Sequence, residues 1–116
     1  MEQERILVVD DEQIILDVFT EMLTINGFNV DTAETGTQAL KKIEAHVYAV
    51  IIVNIKLPDM SGSQICKYVK DEKDLAMPVV GMTGASWLSG DDRFDAVLLK
   101  PFSEEDLKNT IAKLMT

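Results

Sequence analysis

Four short apolar runs punctuate the chain, at residues 6–9, 49–53, 79–82 and 96–99. Each is unbroken rather than alternating and is made largely of Val, Ile and Leu. A strand covered on both faces reads this way, as in a parallel sheet held between helix layers. Residues 30–33, lying between Gly27 and Gly36, form a weaker strand candidate that belongs towards an edge.

Between the runs the period turns helical. Ile15, Val18, Phe19 and Met22 fall at i, i+3, i+4 and i+7, and Asn26-Gly27 supplies the stop. Leu40, Ile43 and Val47 form a second stripe. Ile65 and Val69 form a third, opened by Ser61 and Ser63 and closed before Pro78. In the last helix Leu107, Ile111, Leu114 and Met115 share a face, and Ser103 with Asp106 makes a capping box in which Asp replaces Glu or Gln. The stretch from Ala85 to Phe94, with Gly90 in its middle, is too short for a full amphipathic helix, so the fourth helix is expected to be shortened or irregular.

Five strands separated by helical or loop segments give βα repeats, right-handed crossovers and a doubly wound parallel α/β sheet. No repeat, linker or low-complexity stretch interrupts the pattern, and residues 1–116 read as one domain. Eleven basic against twenty acidic residues leave a net charge of −9. That sign repels phosphate backbones and anionic lipid, so binding of nucleic acid or membrane by this domain is not expected. Cys66 is the single cysteine and His46 the single histidine, which excludes an internal disulfide and a zinc set. With no signal peptide and no apolar run of bilayer length, a cytoplasmic location is expected. His46 reads as a solvated helix-end residue, Cys66 as core or plain surface, and Trp87 as a packing residue.

Candidate chemistry gathers at the carboxyl ends of the strands, where sheets of this class place their ligands. Asp10-Asp11 ends the first strand, Asn54 the third, Thr83 follows the fourth and Lys100 ends the fifth. Two adjacent carboxylates suit a hard cation such as Mg²⁺. A hydroxyl and an ammonium nearby suit the oxygens of a phosphoryl group. Taken singly, Asp11 with Glu12 also serves a helix N-terminus, Thr83 and Asn54 serve turns, and Lys100-Pro101 serves a helix entry.

Four motifs, Ile6-Leu7-Val8-Val9-Asp10-Asp11-Glu12, Ile51-Ile52-Val53-Asn54-Ile55-Lys56-Leu57-Pro58-Asp59-Met60-Ser61-Gly62, Met82-Thr83-Gly84-Ala85 and Leu99-Lys100-Pro101-Phe102, together resemble the receiver domain of two-component response regulators. The resemblance covers essentially the whole chain. It implies a flavodoxin-like sheet in the order 2-1-3-4-5 and a role in signalling rather than enzymatic turnover, with a sensor histidine kinase or an effector protein as partner; it sets no oligomeric state. Asp10 and Asp11 match the acidic pair that holds Mg²⁺, and the backbone carbonyl of Lys56 matches the main-chain metal ligand. Thr83 matches the switch hydroxyl, and Lys100 the lysine that pairs with the phosphorylated residue. Asn54 stands at the phosphoacceptor position, where the family carries aspartate.

An amide oxygen is a poor nucleophile, so Asn54 is not expected to take a phosphoryl group in the usual way, although it still offers a neutral metal ligand. With one carboxylate fewer, and with Lys100 and an inward-turned Lys56 to neutralise Asp10 and Asp11, Mg²⁺ binding is expected to be weak or absent. Val97 stands three before Lys100, where the family often has Tyr or Phe, and the stretch from Thr83 to Lys100 is shorter than usual. These departures describe a divergent receiver acting through protein contacts. An ordinary receiver with its aspartate deliberately changed to Asn54 is the alternative. A Mg²⁺-dependent phosphohydrolase on the same sheet ranks lower, because it lacks an aspartate nucleophile at the third strand and a positioned His base.

Overall fold

The structure, a computed structural model, describes residues 4–84 and 94–115. The segment 85–93, with Trp87 and the expected short fourth helix, lies outside them. Strands β1 (Arg5–Val9), β2 (Asn29–Ala33), β3 (Val50–Asn54), β4 (Val79–Thr83) and β5 (Ala96–Leu99) form one sheet in the order β2-β1-β3-β4-β5. Every neighbouring pair is parallel. The helices are α1 (Gln13–Ile25), α2 (Gly36–Ala45), α3 (Gly62–Lys67) and α4 (Glu104–Met115), and a π-helical turn over Tyr68–Glu72 extends α3.

The unbroken apolar runs have the expected cause: both faces of the inner strands are covered. Leu7 and Val9 pack with Ile51 and Val53 against Ala39 and Ile43 of α2 and Ile65 and Cys66 of α3. The alternate residues Ile6 and Val8 pack with Val50 and Ile52 against Leu16, Phe19 and Leu23 of α1 and Leu107 and Ile111 of α4. Burying each such side chain contributes roughly 1.5–3 kcal/mol. Cys66 is therefore core, and His46 is the exposed C-cap of α2.

Two helical stripes differ from the sequence pattern. On α1 the residues buried against the sheet are Leu16, Phe19 and Leu23, while Val18 is 54% exposed. This helix carries apolar residues on more than one side, Ile14 and Ile25 being exposed as well, so two stripes satisfy the helical period and packing selects one. On α2 the helix ends at Ala45 with His46 already extended, so Val47 leaves the stripe and is 83% exposed.

Helix ends follow the local chemistry. Gly27, with φ of 93°, closes α1: its N–H donates to Thr24 O and the Phe28 N–H to Leu23 O, a Schellman arrangement. Ser61 and Gln64 make a reciprocal capping box at α3. Ser103 and Asp106 make the expected one at α4, with Ser103 Oγ accepting from the Asp106 N–H at 3.0 Å. Among the described residues no helix is long and apolar enough to cross a membrane.

Candidate functional site

Strand register brings the candidate residues to one edge. Val9 lies opposite Val53, so the next residues, Asp10 and Asn54, leave β1 and β3 side by side. Asn54 is paired with Met82, and Thr83 with Leu99. The pairing runs on past the strand ends through Ile55 N–H to Met82 O at 2.9 Å and Lys100 N–H to Thr83 O at 2.8 Å. Asp10, Asn54, Thr83 and Lys100 thus form a row across β1, β3, β4 and β5. The Lys100–Pro101 peptide is cis.

Asp10 is the electrostatic centre of the row. It is fully buried, its Oδ1 accepts the Glu12 N–H at 3.0 Å, and its Oδ2 has no hydrogen-bond partner among the described residues. Lys100 Nζ stands 3.6 Å from that Oδ2, with the lysine side chain still 30% exposed. Burial pushes the Asp10 carboxyl up; the Glu12 amide and Lys100 pull it down, and neighbouring Asp11 and Glu12 push it up again, leaving it above its ordinary value. Asp11 is exposed, Thr83 is buried and Asn54 is half-buried. Lys56 is also exposed, and the cation seen against Asp10 among the described residues is Lys100.

A buried carboxylate oxygen without a donor costs free energy unless a cation or another donor meets it. The donor set fits a hard cation. Among the described residues no group of three His, Cys, Asp or Glu could hold a metal. An ion here would draw on Asp10 and Asp11, the Asn54 amide oxygen, the Lys56 carbonyl and water, an all-oxygen set that suits Mg²⁺ and not a thiophilic metal.

The loop from Ile55 to Gly62 is anchored at a point that the motifs do not reveal. Asp59 Oδ1 accepts the Gly36 N–H at 2.8 Å, and its Oδ2 accepts the Thr37 N–H at 3.0 Å and the Thr37 hydroxyl at 2.7 Å. The hydrogen bonds from Thr37 and from the Gly36 amide hold the Asp59 carboxyl below the usual range. Asp59 and Gly36 are 23 residues apart, and no local pattern links them. On the other flank an apolar cleft of about 480 Å³ opens beside Lys100, lined by Ile15, Phe19, Met82, Pro101 and Phe102. It adds apolar wall to the pocket rather than a polar partner.

The same fold occurs in known proteins. The response regulator TrrA of Thermotoga maritima, whose structure was solved in complex with Mg²⁺-BeF, is 33% identical and superposes with a TM-score of 0.89 over 97% of this chain and 99% of that one. A CheY-like receiver domain protein from Methanospirillum hungatei is 31% identical, with a TM-score of 0.89 over 98% of this chain and 94% of its own. In sequence, the alkaline phosphatase synthesis transcriptional regulatory protein PhoP of Bacillus subtilis is 31% identical over 97% of this chain and 48% of its own length. The response regulator ArlR of Staphylococcus aureus is 30% identical over 96% of this chain and 52% of its own. The chain thus spans about half the length of these two regulators. The response regulator receiver domain matches residues 6–112. The chain belongs to the response regulator receiver domain family, the receiving module of two-component signalling.

Proposed function

We propose that this chain is a receiver module that does not accept a phosphoryl group at residue 54 and signals through protein–protein contacts. Its partner would be a sensor histidine kinase or an effector protein. One observation carries the reading: Asn54, a neutral amide, stands beside Asp10 at the end of β3, where phosphoryl transfer needs a carboxylate nucleophile. Thr83 and Lys100 complete the row, so the pocket retains the groups that would follow a phosphoryl oxygen while lacking the atom that would carry it. Membership of the receiver domain family supports a signalling module over an enzyme. The domain comprises residues 1–116 in this reading.

Mg²⁺ would be held by Asp10, Asp11, Asn54 and the Lys56 carbonyl, and it would neutralise phosphoryl oxygens brought to the site. Its affinity is weak, because a carboxylate has been replaced by an amide and Lys100 already faces Asp10. Asp10, Thr83 and Lys100, in one row with Asn54, also support a second reading, an ordinary phosphorylatable receiver whose aspartate was deliberately changed to Asn54.

The test is intact mass after incubation with a small acyl phosphate donor and Mg²⁺, for this chain and for Asn54→Asp. This chain is expected to gain no phosphoryl group, and uptake by it would overturn the proposal. A gain by Asn54→Asp alone selects the second reading; no gain by either leaves a module that works without phosphate.

A further inference from the structure

The loop that follows β3 is closed on itself at its base. The Gly62 N–H donates to Ile55 O at 2.7 Å, and Lys56 and Ser61 form an antiparallel bridge. Gly62 sits so close to the strand end that a Cβ there would come within 2.9 Å of Ile55 Cα and 3.0 Å of the Asn54 carbonyl oxygen. The tip is held differently, by another element. The Asp59 carboxylate forks onto the Gly36 and Thr37 amides and the Thr37 hydroxyl, and Met60 covers Gly36, where a Cβ would run into the Met60 side chain.

We propose that Asp59 is a positioning residue for the cation site, fixing the main chain at Lys56 by clamping the loop tip to the start of α2. The inference rests on the cation reading of the pocket given above. Base closure joins the two arms of the loop, Lys56 and Ser61 included, to each other, but it does not tie them to α2. A carboxylate that accepts from two successive amides at a helix start ties the closed loop, and with it the Lys56 main chain, to α2, because both oxygens are fixed and the charge lies at the positive end of the helix. The anchor is rigid, since Ala39 and Ile43 of α2 are buried in the core. The helix has a cap without Asp59: the Thr35 side chain accepts from the Gln38 N–H. Two caps therefore serve one helix end, and only Asp59 ties it to the loop.

The test uses the Asn54→Asp chain, which restores the carboxylate, and measures Mg²⁺ affinity by titration calorimetry with amide hydrogen exchange alongside. Adding Asp59→Ala is expected to weaken Mg²⁺ about tenfold, the lower end of what supporting residues contribute to metal affinity. Asp59→Asn, which keeps one acceptor oxygen, is expected to fall between. Thr35→Ala removes the other cap of α2 and is expected to lower stability while leaving Mg²⁺ affinity unchanged. Exchange at Lys56 and Leu57 should quicken in Asp59→Ala and not in Thr35→Ala. Unchanged Mg²⁺ affinity in Asp59→Ala, or an equal loss in Thr35→Ala, overturns the inference and leaves Asp59 a structural cap. If Asn54→Asp itself binds no Mg²⁺, the cation reading of the pocket fails first and takes the inference with it.

Discussion

Lys100 Nζ lies 3.6 Å from Asp10 Oδ2, an oxygen with no hydrogen-bond partner among the described residues, in a side chain that is fully buried. The two residues come from the first and last strands, and the ammonium offsets only part of the cost of burying the carboxylate. The Asp10 carboxyl consequently holds its proton more tightly in the folded protein than the ordinary value of 3.8 in the unfolded chain.

That difference fixes the sign of a pH effect. The folded state binds the Asp10 proton more strongly, so the contribution of this group to stability is full below pH 3.8 and is lost as pH rises through the raised folded value. Asp10→Asn keeps an oxygen for the Glu12 amide and removes the buried charge. It is expected to raise stability at pH 7, where the folded protein holds that charge against burial. Urea unfolding at several pH values checks this: the gain should shrink as the solution is acidified.

Asp31 works in the opposite direction. Burial raises its carboxyl, but hydrogen bonds from the Tyr48 hydroxyl at 2.7 Å and from Arg5 at 3.1 Å outweigh that and hold it below 3.8. Its contribution is present above pH 3.8 and lost as pH falls through the folded value. Tyr48→Phe, which removes a hydrogen bond to a charged acceptor, is expected to cost about 1.5–2 kcal/mol at pH 7. The variant should also lose stability less steeply in acid, as unfolding monitored by circular dichroism would show.

Gly62→Ala tests the tightness of the loop base. Its Cβ would meet backbone at 2.9 Å and 3.0 Å, so the strand end or the loop must move. A loss of about 1–3 kcal/mol is expected, as for overpacking of a core, with thermal unfolding as the measurement.

The two residues of the α2 stripe that structure separates, Ile43 and Val47, make a paired control. Ile43 is 2% exposed and Val47 is 83% exposed. Ile43→Ala is expected to cost about 2–5 kcal/mol, and Val47→Ser less than about 0.5 kcal/mol. Equal effects in chemical denaturation would contradict the observed end of α2 at Ala45.

Ser103→Ala removes the oxygen that accepts the Asp106 N–H and should cost about 1 kcal/mol of stability. The loss is expected in the global unfolding transition, because Leu107 and Ile111 tie α4 to the core.

Much of this architecture was legible along the chain because its signals are local. Fully buried strands need unbroken apolar runs, Asn26-Gly27 can end a helix wherever it stands, and Ser103 with Asp106 caps the helix it opens. The row of Asp10, Asn54, Thr83 and Lys100 was legible for a related reason: parallel strands share one carboxyl edge, so strand ends converge whatever their separation in sequence. What escaped has a long-range cause. Which of two apolar stripes on α1 faces the sheet is decided by packing, so the helical period that includes Val18 does not reveal that it is exposed. The Asp59 clamp on Gly36 joins a loop to the start of α2, and no periodicity connects them.

Strand order has a consequence for synthesis. The half-sheet β2-β1-β3 is complete within residues 5–54, before β4, β5 and Lys100 have been made. A chain made in that order has Asp10 before it has the lysine that faces it, so the pair at the carboxyl edge of the sheet closes only after β4 and β5 have been added.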